Sequence, residues 1–278
     1  MRCRGFPLLS SAVAAALCSL GAASHAQTPA PFANWQDSAG VVLRPLGGQV
    51  PDWETVVGGG AVVMPKYQGG KQYGFLPSIT VDIRYRDIAF LSTGDGLGVN
   101  LLRGQTFRAG VALAYDTGRS EHAEHSLRGT GSFSPAPAIK LFAEAFFQPV
   151  VVSADLRRAF GGTDGLVGDV GAYVPIIGNE TLVVFIGPGV TAGDAHYMQR
   201  EFGIGTNEAA PASNYPRYNA KAGPANVNFG VTANYTISDK WRLNATLGYE
   251  RLICSADSSP LDENPNQAGA SLEVLYDF

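Results

Sequence analysis

The chain has 278 residues, 45% hydrophobic and 16% charged, with a formal net charge of −4. That balance gives no electrostatic case for a nucleic-acid partner, and the mean hydropathy of +0.02 hides no run long enough for a membrane helix beyond the N-terminus. Of three cysteines, Cys3, Cys18 and Cys254, two lie in the first 20 residues, so the remainder can form neither an internal disulfide nor a cysteine-based zinc site.

The N-terminus reads as a secretory signal peptide over residues 1–26. Arg2 and Arg4 are basic, Pro7 to Leu20 is apolar without acids, and Ser24 and Ala26 stand at the −3 and −1 positions before Gln27. Leu17 before Cys18 argues against lipidation. Taking Arg2 and Arg4 from 20 basic residues leaves 18 against 24 acidic, a mature charge of −6. Residues 27–52 are rich in Pro, Ala and Gly, show no period and are expected to form an irregular periplasmic segment.

From Trp53 the pattern is strand and turn without interruption. Tyr73, Phe75, Ile79, Val81, Ile83 and Tyr85 alternate with small and polar residues, and Pro77 within that run predicts a bulge. Phe107, Ala109, Val111, Leu113 and Tyr115 share one face. So do Val227, Phe229, Val231, Ala233 and Tyr235, and, after the turn at 238–240, Trp241, Leu243, Ala245, Leu247 and Tyr249. The last run places Ala270, Leu272, Val274, Tyr276 and Phe278 on one face, with Leu275 the apolar intruder on the other. A period of two is a strand with one oily face. A soluble sandwich would place its aromatics mid-strand. Here they recur at strand ends, as in the interface girdles of a transmembrane barrel.

The predicted fold is therefore all-β: a closed antiparallel transmembrane barrel over 53–278. Twelve strands are expected, at 54–64, 73–85, 87–93, 97–102, 105–116, 137–148, 150–160, 165–175, 181–193, 220–237, 240–251 and 268–278. Twelve leave both termini in the periplasm and every long connection (117–136, 194–219, 252–267) outside. The shortness of 87–93 and 97–102 keeps ten strands as the alternative.

Several motifs resemble the MipA/OmpV family, the MltA-interacting proteins of the Gram-negative outer membrane. They are Gly58-Gly-Gly-Ala-Val-Val-Met-Pro65 with Tyr67-Gln-Gly69; Leu76-Pro77 with Ala89-Phe90-Leu91; Tyr115-Asp-Thr-Gly-Arg119 with Leu127-Arg-Gly129; Tyr249-Glu-Arg-Leu252 with Asp257-Ser-Ser-Pro-Leu261; and Tyr276-Asp-Phe278. The extra serine in 257–260 departs from the pattern. The resemblance implies an outer-membrane barrel and does not imply an enzyme. Some members of the family are scaffolds joining a lytic murein transglycosylase to a peptidoglycan synthase, others are porin-like, adhesive or stress-linked, and the resemblance supplies no catalytic residue.

The residues themselves add little chemistry. His122 and His125, with Glu121 and Glu124, offer at most a weak surface metal site, outweighed by a solvated loop. An acyl hydrolase built on them is the least favoured reading, so no catalytic residue, cofactor or metal is assigned. The polar strand faces carry more. Asp82, Arg84, Asn100, Arg108, Asp116, Lys140, Glu144, Asp155, Arg157, Asp169, Arg242, Asn244 and Glu250 fall largely on faces expected to line the lumen. Opposite charges there, such as Arg108 and Asp82, are expected to pair, since unpaired buried charge is costly. Such a lumen is either plugged and structural or a narrow, charge-lined channel for small solutes or ions. At 10–12 strands the filled interior is favoured.

Overall fold

A computed structural model describes residues 50–205 and 215–278; the signal peptide and nearly all of the irregular N-terminal segment lie outside them. Twelve strands occur among the described residues: β1 (Trp53–Pro65), β2 (Tyr73–Tyr85), β3 (Ala89–Ser92), β4 (Gly96–Arg103), β5 (Phe107–Asp116), β6 (Ala136–Phe147), β7 (Val150–Ala159), β8 (Leu166–Gly178), β9 (Leu182–Gly193), β10 (Gly223–Ser238), β11 (Trp241–Leu252) and β12 (Asn266–Asp277). Each pairs antiparallel with its chain neighbours, and β12 pairs with β1 to close the barrel. The short-looking segments after Arg86 are two real strands, folded back at 93–95 so that Ser92 opposes Gly96. Apart from the turn at 93–95, which faces the other way, the short turns lie at the end that holds Trp53 and Phe278. All long connections lie at the other, which in an outer-membrane barrel is the extracellular end.

Alternation sorts the side chains as the period requires. Phe75, Leu113, Leu247 and Leu272 are more than half exposed on the outer wall, while Arg108, Thr232 and Thr246 are buried on the inner one. Leu275 keeps to the inner face and is buried there. Gly58 stands opposite it in the β1–β12 ladder, and a Cβ at Gly58 would lie 2.4 Å from the Leu275 Cδ2. The missing side chain makes the room.

Pro77 does not sit in a bulge. The β1–β2 ladder runs in unbroken register from Trp53↔Tyr85 to Pro65↔Tyr73. Pro77 is tolerated because it stands on an edge. The β2–β3 ladder stops at Asp82↔Ser92, so residues 73–81 of β2 have a strand neighbour on the β1 side alone. The Val81 amide and carbonyl point to the other side, where they meet Thr93. Backbone groups alternate sides along a strand, so Tyr73, Phe75, Pro77 and Ile79 turn theirs to the open side. A proline there gives up no ladder bond. Bulges occur instead near Asn100, Pro175, Pro224 and Thr236. The one at Pro175 carries β8 on to Gly178, past the end expected from sequence.

Val231 and Leu247 are cross-strand partners on the lipid side. Arginine at either is expected to destabilise the barrel by roughly 2–4 kcal/mol if the site lies near mid-bilayer. Urea-induced unfolding in lipid vesicles, followed by tryptophan fluorescence, reads this out.

Candidate functional site: a filled barrel interior

The interior has three tiers. At the extracellular end, loops close the mouth. The connection after β9 contains helix α1 (Ala195–Phe202), capped by Asp194, whose carboxylate accepts the Tyr197 amide at 2.8 Å. Its Tyr197, Met198 and Phe202 face inward and pack with Val167, Ala225, Leu252 and Ala256, the last from the single-turn helix α2 (Cys254–Asp257). Beside them Tyr67, Leu127, Ile204 and Leu261, from four different loops, form a second apolar cluster. Tyr67 Oη donates to the Leu261 carbonyl at 3.1 Å and lies 3.2 Å from Ser126 Oγ. Arg119 donates to the Glu201 carbonyl, and Ser259 to that of Phe202. These long outer connections form a knitted cap, because their apolar side chains find cover in the mouth.

His122 and His125 lie in this region. His122 is exposed, 3.9 Å from Glu121, while the Glu121 carboxylate accepts the amides of Gly129 and Gly131. No group of three or more His, Cys, Asp or Glu placed to hold a metal occurs among the described residues.

The middle tier is ionic. Arg108 donates to Glu144 at 2.7 Å and to Asp87 at 2.7 Å. Asn100 donates to the Asp87 carboxylate and carbonyl. Asp82 pairs with Arg84 at 2.9 Å, not with Arg108 as the face pattern suggested. Asp95 accepts from Lys140 at 2.8 Å and lies 3.9 Å from Arg84. Arg157 joins Asp155 and Asp169, and Asp169 also accepts from Thr191. Four cations thus face six carboxylates. Asp87 and Asp95 come from hairpin turns, which carry no period, so the strand pattern alone could not place them. A cavity of about 50 Å3 lies beside Arg108, Lys140, Glu144, Asp155 and Tyr173. One water needs about 10–15 Å3 on this measure, so the cavity holds a few waters.

At the periplasmic end, Arg242 pairs with Asp277, and Asn244 donates to Asn234 at 2.9 Å. Glu273 accepts from Ser78 and Thr80. These two lie beyond β1 from Glu273, and the acid reaches them across Gly58 and Gly60, which stand between in the ladder. Asp116 belongs to the cap, where its carboxylate accepts from Thr163 and the Gly118 amide. Glu250 is buried between β10 and β12.

The fold and this filled polar interior define an outer-membrane β-barrel. The family described as "MltA-interacting protein MipA" matches residues 57–278. The chain belongs to that family. It is 31% identical over 106 residues to "Outer membrane protein Omp26La" of Vibrio anguillarum, a stretch covering 38% of this chain and 39% of that protein. Among solved structures it is similar to a KdgM porin, with 9% identity and a TM-score of 0.43 over 80% of this chain and 99% of that one. It is also similar to the translocator domain of the autotransporter NalP from Neisseria meningitidis, with 12% identity and a TM-score of 0.40 over 92% and 100%.

Replacing Arg108 with Met leaves the Glu144 and Asp87 carboxylates buried without their partner. It is expected to cost about 3–5 kcal/mol, with a smaller loss when Glu144 is also made Met. Equilibrium unfolding of the single and double variants measures this.

In the cap, burial pushes the Asp262 carboxyl up to about 6, against a hydrogen bond from the Asn264 backbone and with a small addition from Asp257. Burial also raises Glu124, helped by Glu263 and opposed by Lys66 and Lys71. A carboxyl raised on folding binds more protons folded than unfolded, so its stability contribution is lost as pH rises. For Asp262 that window runs from about 4 to about 6. Resistance of residues 253–265 to proteolysis should therefore fall between pH 5 and pH 7.5. Asp262→Asn should flatten that component and be the more resistant protein at pH 7.5.

Proposed function

We propose that this protein is a non-enzymatic, non-conducting barrel that acts as a scaffold for peptidoglycan-remodelling enzymes at the inner surface of the outer membrane. The observation that carries this reading is the filled interior. Two apolar clusters cover the mouth, the middle is cross-linked by ion pairs, and a cavity of about 50 Å3 lies among them. A filled barrel is useful as an anchor and a surface. The family description names an interaction with MltA, and we assign this chain a partner of that class, a lytic murein transglycosylase, together with a peptidoglycan synthase. The partner surface lies in the short periplasmic turns, and the candidate lumen residues serve as interior packing.

The second reading is a narrow porin-like channel for small solutes or ions. What favours it is the excess of carboxylates over cations in the middle tier, which would select cations if the cap opened.

Purified protein in planar bilayers should show negligible conductance, and crosslinking pulldown from envelopes should recover murein enzymes. Steady cation-selective conductance with no murein enzyme recovered would replace the scaffold by the channel. Met198 and Phe202 each replaced by Ser, which loosens the cap, should raise conductance while leaving the pulldown unchanged.

A further inference from the structure

On the outer wall at the extracellular end, where β2, β1, β12 and β11 run side by side, one cation stands without a countercharge. Arg251 is exposed and shares the lipid-facing side of β11 with Leu247 and Tyr249. It lies two residues beyond Tyr249, one of the strand-end aromatics that mark the membrane surface, so its guanidinium is at the level of lipid headgroups. Arg251 donates to Asn266 Oδ1 at 3.0 Å, and Tyr249 donates to the same oxygen at 2.7 Å. A guanidinium has five N–H donors, and among the described residues no carboxylate takes the others. By contrast Arg158, also on an outer face near this end, pairs with Asp164 and Asp194.

Lys71 belongs to the same corner. The connection 66–72 is laid over the start of β12: the Gly69 carbonyl accepts the amides of Glu263 and Asn264, and the Gly70 carbonyl accepts the Gln267 side chain. A Cβ at Gly69 would touch Leu252, the neighbour of Arg251. Tyr73, two residues after Lys71, reaches across to β12, where its hydroxyl accepts the Ala268 amide at 3.2 Å. Lys71 is exposed and in no salt bridge among the described residues. Below this corner the wall carries a shallow apolar groove. Ala268 and Ala270 on β12 form its floor. Ala270 stands between Leu247 on β11 and Val63 on β1, Ala268 lies beside Tyr249, and Phe75 lies beside Val63. The exposure of these larger side chains, from 39% for Val63 to 73% for Phe75, makes them banks above the two alanines.

We propose that this corner and groove hold one anionic lipid of the outer leaflet. Arg251 takes the lipid phosphate through its free N–H groups, a planar fork that meets two phosphate oxygens at once. Lys71 adds a second positive charge. The oxygen of Asn266 is occupied by Tyr249 and Arg251, so its amide nitrogen is the end left to donate. An acyl chain lies in the groove, where each buried CH2 adds to binding. A free phosphate has no such contact, and exposed charges in water hold a small ion weakly. A protein strand finds no open edge here, because β1, β12 and β11 are each paired on both sides.

The test uses the full barrel refolded in detergent, with folding of every sample checked by heat-modifiable migration. Native mass spectrometry follows the retention of added diphosphorylated lipid A, its dephosphorylated form or phosphatidylcholine. Wild type should retain one lipid A per chain and hold the two lipids without a net negative charge about tenfold less well. The double variant Arg251→Gln, Lys71→Gln should lose lipid A by a similar factor, whereas Lys240→Gln at the periplasmic rim should not. Ala270→Leu fills the groove without touching a charge and should also weaken retention; it keeps the test decisive if the charge variant folds poorly. Millimolar inorganic phosphate should leave the lipid in place. Retention indifferent to the lipid's phosphate, or undiminished in either the charge variant or the groove variant, overturns the proposal. So does displacement by inorganic phosphate, which would mark a free-anion site.

Discussion

In hydrocarbon a backbone amide without a partner costs several kcal/mol, and a sheet escapes that cost only by closing on itself. The pairing of β12 with β1, from Val56↔Asp277 to Val63↔Ala270, is therefore the contact on which the molecule rests. It fixes a twelve-stranded circumference, and with it an interior wider than the eight-stranded barrels that strand side chains fill and narrower than the 16–18-stranded porins. The two remaining ways to fill it are both used. Loops fold inward at the extracellular mouth, and long charged side chains meet in the middle.

Those fillings obey opposite rules. The cap is apolar and comes from segments that would otherwise expose Tyr67, Leu127, Met198 and Phe202 to water. The middle tier is polar because the strands must alternate, which leaves the inner face to residues unsuited to lipid. Once there, each charge needs a partner, and the pairs Arg108–Glu144, Lys140–Asp95 and Arg157–Asp169 also hold strands and turns at set distances. Glycines in β1 allow pairing to reach further than adjacent strands. A Cβ at Gly60 would collide with the Leu272 carbonyl, and without side chains at Gly58 and Gly60 Glu273 spans from β12 to β2.

Much of this was legible in the sequence. A period of two needs only a list of residues, so strand positions and lipid-facing positions such as Leu247 and Phe229 could be read directly. The turn at 93–95 followed from parity. What could not be read depends on contacts between distant segments. Asp87 and Asp95 sit in turns, where no face is defined, so the true partners of Arg108 and Lys140 were hidden. Helix α1 was passed over as loop, although Asp194 as cap with apolar residues at 197, 198 and 202 was its signature. Pro77 was assigned to a bulge because sequence shows that a proline lacks a ladder bond but not which neighbour is missing. The burial of Glu250 is a property of the packed interior and has no sequence mark.

The short β3–β4 hairpin has a consequence for how the barrel comes apart. A barrel's weakest line is usually sought where the first and last strands meet. Here that seam is long and fully bonded, whereas the outer half of β2 is held from one side only. The amides of Phe75 and Ile79 face the open side, so they exchange with solvent hydrogen by local fraying and not by global opening. The proline between them denies an invading strand the central donor of that edge. The one-sided stretch of the wall is thus placed where it can loosen without recruiting a second barrel, far in sequence from either end.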